Sequence, residues 1–212
     1  MLKVNEIFKS IQGESSYVGL PCAFVRLTGC HLRCTWCDTA YAFHEGTDMT
    51  VEEIVPKVEA MGVKFFELTG GEPLLQKDAF ELVRRLCDLN YTVLIETSGA
   101  VDLFGLDSRS VKIMDIKCPS SGMTDKMIWE NLDHLSPRDE VKFVIKDHID
   151  FDWAKDIIKK YQLAKKVHLL FSPVFHELES QTLAEWILKE NLPVRMQLQI
   201  HKYIWSPETR GV

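Results

Sequence analysis

No apolar run in these 212 residues approaches the ~20 that a membrane-spanning helix requires. Basic charge is in deficit as well: 25 Lys and Arg against 31 Asp and Glu leave a net −6. Neutralising phosphates or docking on anionic lipid needs the opposite balance, so neither nucleic acid nor a membrane is expected as a partner. The first fourteen residues contain no apolar h-region and meet Glu6 early, which argues against a signal peptide and points to the cytoplasm. Solenoid repeats and low-complexity tracts are missing too. What is present is a 46% hydrophobic chain, enough for a sizeable core, of a length that suits a single domain over residues 1–212.

Short apolar runs alternate with amphipathic ones. Strands are expected at Val4–Ile11, Cys22–Leu27, Phe65–Leu68, Thr92–Glu96, Val111–Ile116, Val141–Ile145, Val167–Phe171 and Val194–Ile200. Thr50 and Glu53 form a capping box that opens a helix to about Met61, with Pro56 predicting a kink or a shorter helix. Further helices are expected at Asp78–Leu89, Asp125–Leu135, Phe151–Tyr161 and Thr182–Glu190. Repeated αβ units predict parallel strands with right-handed crossovers. A complete eight-fold barrel takes ~250 residues, so the fold class is α/β, an incomplete TIM-like barrel of parallel strands with helices outside. Its chemistry should lie at the C-terminal strand ends.

Six cysteines occur, three of them in Cys30-His-Leu-Arg-Cys34-Thr-Trp-Cys37, spaced C-x3-C-x2-C just past a predicted strand. Three thiolates so close suit one side of an iron–sulfur cube, each holding one iron. With no fourth cysteine in the loop, one iron would stay open to a small ligand. A structural Cys3His zinc site would have to use His31 or His44, yet His31 directly follows Cys30 and only one C-x2-C pair exists. Cys22, Cys87 and Cys118 read as buried small hydrophobes. Gly70-Gly71-Glu72-Pro73 follows a predicted strand. Alone it could be an ordinary turn; its glycines also let backbone approach closely, and Glu72 could accept from a cationic group.

The cysteine spacing and the GGEP segment together resemble the radical S-adenosylmethionine (SAM) superfamily. Within it the chain resembles the 7-carboxy-7-deazaguanine synthases of 7-deazapurine (queuosine precursor) biosynthesis. The resemblance covers nearly the whole chain and is densest over residues 5–43. It runs through Ile11-Gln-Gly-Glu14, Phe24-Val-Arg26, Thr28-Gly-Cys30, Trp36-Cys-Asp-Thr39, Leu68-Thr-Gly-Gly-Glu-Pro73, Glu96-Thr-Ser-Gly99 and Gln199-Ile-His-Lys-Tyr203. It implies a radical SAM type of barrel and a carbon–nitrogen lyase that contracts 6-carboxy-5,6,7,8-tetrahydropterin to 7-carboxy-7-deazaguanine with loss of ammonia. SAM is cleaved to a 5′-deoxyadenosyl radical and then regenerated. Cys30, Cys34 and Cys37 would hold a 4Fe–4S cluster. Trp36, Cys37, Asp38, Gly71, Asp115, Ile116, Lys117, Ser172, Pro173, Val174 and Phe175 would contact SAM. Ile11, Gln12, Gly13, Arg26, Thr69 and the chain end at Val212 would contact the pterin, and Thr39 would bind Mg2+. A homodimer and a flavodoxin or ferredoxin type electron donor are implied as partners.

The residues support much of this unaided. Arg26 can grip a carboxylate with two parallel hydrogen bonds, although a barrel-mouth salt bridge is an alternative. Thr39 is a hard oxygen ligand suited to magnesium; Asp38-Thr39 could equally cap a turn. Lys117 could be solvated. Gln199 and His201, two apart in a predicted strand, would share one face and fit a pterin edge, or His201 could be a core histidine. The segment from Asp115 to Pro119 differs from the Ser-Pro-Lys of other members, and Ser15 replaces a glycine common after Glu14. Two further functions compete: a superfamily activase acting on a partner protein, and a non-catalytic iron–sulfur or zinc protein.

Overall fold

The alternating segments assemble into one nine-stranded sheet in a computed structural model, which describes all 212 residues. The strands are β1 (Leu2–Ile11), β2 (Pro21–Leu27), β3 (Thr47–Met49), β4 (Phe65–Gly70), β5 (Thr92–Thr97), β6 (Val111–Ile116), β7 (Glu140–Ile145), β8 (His168–Pro173) and β9 (Arg195–Met196). Their order is β3-β1-β2-β4-β5-β6-β7-β8-β9. β1 runs antiparallel to β2 and β3; from β2 onward every pair is parallel. Parallel neighbours need crossovers. Helices α1 (Val51–Glu59), α2 (Asp78–Asp88), α3 (His148–Tyr161) and α4 (Ser180–Glu190) lie in four of them. The connections β5–β6 and β6–β7 contain no α-helix, so the barrel has a thin side as well as two open edges.

Strand alternation divides the side chains between two environments. Val25, Leu68, Ile95, Phe143 and Phe171 point outward and join Ile54, Leu82, Phe151 and Leu183 of the helices in the main core. Each such side chain contributes ~1.5–3 kcal/mol when fully buried. The other strand face points into the barrel. At its lower end Leu94, Val111 and Ile113 form a separate small cluster covered by Tyr17. Tyr17 belongs to the β1–β2 connection, which folds across the N-terminal ends of the strands: its ring lies 5.8 Å from that of Phe65, and Ser16 N donates to the Glu140 carboxylate. The barrel floor is therefore closed.

The capping box of α1 forms, with Glu53 N donating to Thr50 Oγ1 and Thr50 N to Glu53 Oε2. Pro56 sits on the exposed side of α1, where the carbonyl it leaves free meets water, and the helix stops at Glu59, two residues before Met61. α3 begins earlier than Phe151 because Asp147 caps it through Ile149 N and Asp150 N. Two sequence expectations fail. Asp125–Leu135 is not an α-helix but a pair of 3₁₀ turns, Thr124–Lys126 and Trp129–His134. Buried Asn131 donates to the carbonyls of Gly99 and Val101 and accepts from Leu103 N, bonds that tie this segment to the preceding loop. The strand expected over Val194–Ile200 shrinks to Arg195–Met196, because Gln197 and Gln199 turn inward to Glu14 and the chain then enters the short helix α5 (His201–Ile204).

Candidate active site at the open end of the barrel

A cavity of about 670 Å³ opens at the C-terminal ends of the parallel strands. Every site residue singled out from the sequence lines it except Glu72 and Ile116. The Ile116 side chain points to the outer face and is fully buried in the main core, so it packs there and only its backbone is left for the expected contact with SAM.

The cysteine loop leaves β2 through Gly29, whose φ of +100° is left-handed backbone that suits glycine. Cys30 and Cys34 are half-buried, Cys37 is exposed, and all three thiols are free. The loop is pinned by Thr35 Oγ1 donating to Ser120 O at 3.0 Å and by Glu72 N donating to Gly29 O at 2.9 Å. Gly71 packs directly beneath it: a Cβ there would overlap the Gly29 carbonyl oxygen and stand 2.6 Å from the Cys30 Cβ. Burial raises the Cys30 and Cys34 thiols above their ordinary value, and the Lys117 ammonium partly offsets this. Cys22, Cys87 and Cys118 are buried and none lines the cavity. Three free thiols lining one cavity are the donor set that would hold a 4Fe–4S cluster.

Beyond the loop, Asp115 pairs with Lys117 at 3.0 Å. Its second oxygen, Oδ1, is buried with no hydrogen-bond partner, an acceptor left for a ligand. Burial works against the Lys117 charge, but Asp115 and Cys34 raise it above its ordinary value, so it stays an ammonium. Glu72 departs from the expected role. Its carboxylate is fully buried and accepts from Leu74 N, Thr97 Oγ1 and both Ser98 N and Oγ, tying the GGEP turn to the end of β5. No acceptor capacity remains for a cationic ligand group.

On the other wall Arg26 pairs with Glu6 at 2.6 Å. Gln12 donates to Glu67, and Thr69 stands beside Arg26 in the β2–β4 register. Gln199 and His201 do not share a strand face, yet both reach the cavity. Gln199 Nε2 donates to Glu14 and to Asp38 Oδ2, and Lys202 Nζ lies 2.6 Å from the same Asp38. His201 packs on Gly13, where a Cβ would overlap its ring; burial holds the imidazole below its ordinary value. The C-terminal segment folds back over the mouth, so Val212 also lines it.

Sequence reasoning missed the charged layer under this site. Glu14, Glu67, Glu96 and Lys142 line the bottom of the cavity. Lys142 bonds to Glu14 at 2.9 Å and to Glu96. Burial opposes ionisation of Glu14, but Lys142 and Gln199 bring its carboxyl down to about 2. Burial, reinforced by neighbouring carboxylates, raises Glu67 well above the ordinary range and Glu96 above it. Burial opposes the Lys142 charge, yet Glu14 and Glu96 raise it well past normal. The available signal was a charge inside each apolar strand: Glu67 in β4, Glu96 in β5, Lys142 in β7.

The pattern of the radical SAM superfamily matches residues 24–187, from mid-β2 into α4. The chain belongs to that superfamily. It is 48% identical over its whole length to a 7-carboxy-7-deazaguanine synthase of Chlorobaculum tepidum, covering 97% of that protein. It is 45% identical to one of Koribacter versatilis, with both chains covered completely. The crystal structure of QueE from Escherichia coli shares the fold, with a TM-score of 0.77 over 93% of each chain at 20% identity. The chain is thus an enzyme of the 7-carboxy-7-deazaguanine synthase family.

Proposed function

We propose that this enzyme converts 6-carboxy-5,6,7,8-tetrahydropterin to 7-carboxy-7-deazaguanine and ammonia, with SAM used catalytically. The carrying observation is that one cavity holds three free thiols on one wall and the half-buried guanidinium of Arg26 on another. The equation balances with no added oxidant: the pterin gives up one nitrogen as ammonia and its ring closes one atom smaller. Bound at Cys30, Cys34 and Cys37, a reduced 4Fe–4S cluster with SAM would supply a carbon-centred radical that removes one hydrogen atom from the substrate.

The protein's part is to bind, orient and exclude water. Arg26 grips the substrate carboxylate. Ile11, Gln12, Gly13, Thr69, Gln199, His201 and the chain end at Val212 hold the pterin. Trp36, Asp38, Gly71, Asp115, Lys117 and Ser172 to Phe175 receive SAM. Thr39, whose hydroxyl donates to Asp38 at 2.9 Å, offers its oxygen to a Mg2+ shared with substrate oxygens. The closed floor keeps bulk water from the reacting centre. A flavodoxin or ferredoxin type donor supplies electrons, and a second copy of the chain pairs as a homodimer.

The test is anaerobic reconstitution of the cluster, followed by SAM, reductant, Mg2+ and 6-carboxytetrahydropterin, with product read by mass spectrometry. Appearance of 7-carboxy-7-deazaguanine, lost without SAM, is expected. SAM cleavage with no such product would retain the radical machinery and refute the substrate.

A further inference from the structure

The β1–β2 ladder has one irregularity, and it lies beside the substrate wall. Val4 pairs with Leu27 and Glu6 with Arg26, which makes Asn5 an extra residue on β1. Such a β-bulge re-aims the side chains that follow it. Val4 and Leu27 lie in the outer core, whereas past the bulge Phe8, Phe24 and Arg26 line the cavity. Under unbroken alternation Glu6 would share the face of Val4, among apolar side chains. The bulge instead sets it directly against Arg26.

Once there, one oxygen of Glu6 does two things. Oε1 accepts from Arg26 Nε at 2.6 Å and from the Tyr41 hydroxyl at 3.0 Å. The guanidinium carbon also lies 5.9 Å from the Phe8 ring and 5.8 Å from the Tyr41 ring. Nε is the only nitrogen of Arg26 engaged by the protein; Nη1 and Nη2 donate to nothing. A guanidinium can hold a carboxylate through Nε and one Nη, or end-on through both Nη atoms. By taking Nε alone, Glu6 blocks the first mode and leaves the second.

We infer that Glu6, steadied by Tyr41, is a positioning residue that fills the Nε of Arg26 and turns its Nη1–Nη2 edge toward the substrate carboxylate. The inference rests on Arg26 being the carboxylate clamp of the proposed function. Glu6 does not touch substrate. It offsets the Arg26 charge, so selection falls on a planar acceptor of two hydrogen bonds instead of on negative charge alone.

The experiment titrates 6-carboxypterin, and separately pterin without the carboxylate, into the reconstituted enzyme with SAM, read by pterin fluorescence. Glu6→Ala should weaken 6-carboxypterin about tenfold or more and leave unsubstituted pterin within about twofold. Glu6→Gln, which keeps an oxygen for Nε, should recover most of that loss. In an Arg26→Ala background, Glu6→Ala should add nothing. Equal loss for both pterins, or a full additive loss on top of Arg26→Ala, would overturn the inference. Tyr41→Phe supplies a second reading if Glu6→Ala does not fold: a several-fold loss confined to 6-carboxypterin supports the inference, and unchanged selectivity overturns it. A wild-type enzyme indifferent to the carboxylate is a separate outcome, which overturns the clamp itself.

Discussion

Replacing Gly71 by Ala probes how the cysteine loop is held. The added Cβ would stand 2.6 Å from the Cys30 Cβ and 2.8 Å from the Gly29 carbonyl carbon. Carbon atoms make ordinary contact near ~3.5 Å, so the loop must retreat by about 0.9 Å. All three nearest atoms are backbone or Cβ, so no flexible side chain can absorb the movement. Metal–ligand distances tolerate about 0.2 Å, several-fold less than the required shift. Overpacking of this kind costs about 1–3 kcal/mol. For a chain of this size that lowers Tm by roughly 2–12 °C, leaving the protein folded. The assay measures iron and sulfide per chain after anaerobic reconstitution, SAM affinity by titration, and Tm by circular dichroism. The expected variant is folded, poor in cluster and weak in SAM binding. Wild-type iron, sulfide and SAM affinity would refute the reasoning.

Cys34→Ala should lose both cluster colour and SAM cleavage; retention of either in a reconstituted sample contradicts ligation by Cys34. Arg26→Ala should abolish pterin turnover while sparing slow SAM cleavage, measured as 5′-deoxyadenosine; surviving turnover removes Arg26 from the substrate site. Glu67→Gln tests the buried layer through pH. Burial and the neighbouring Glu96 hold the Glu67 carboxyl well above its ordinary 4.5, so folding favours the protonated form. Below 4.5 both folded and unfolded chains are protonated there, and above it stability falls as pH rises toward the folded value. Glu67→Gln removes that loss. Its Tm relative to wild type should therefore rise between pH 4.5 and 8, and a pH-independent difference contradicts the assignment.

Legibility in the sequence followed the range of the interactions. The strands β1, β2 and β4 to β8 were readable as short, largely apolar runs, and α1 because Thr50 and Glu53 complete a cap within four residues; β3, only Thr47–Met49 and mostly exposed, carries no such signal and was missed. The Cys30, Cys34 and Cys37 set was readable as α1 was: its chemistry is encoded in local spacing. The segment at 125–135 misled because Asn131 bonds to carbonyls some thirty residues away. Val194–Ile200 alternates like a strand, yet Gln197 and Gln199 obey Glu14, far off in sequence. Glu72 looked free in its motif and is consumed by Thr97 and Ser98. Glu14, Glu67, Glu96 and Lys142 come from four segments, and only the curled sheet brings them into one layer.

The sealed floor of the barrel has a kinetic consequence. With Tyr17 and its loop across the N-terminal strand ends, the cavity is a well whose mouth lies at the C-terminal strand ends. Two small molecules must enter by that mouth and a product must leave by it. Traffic in such a well is last in, first out: the occupant of the deeper berth boards first and disembarks only after its neighbour has moved. Steady-state turnover should then follow a compulsory order, and an excess of the outer ligand should trap the inner one and slow its exit.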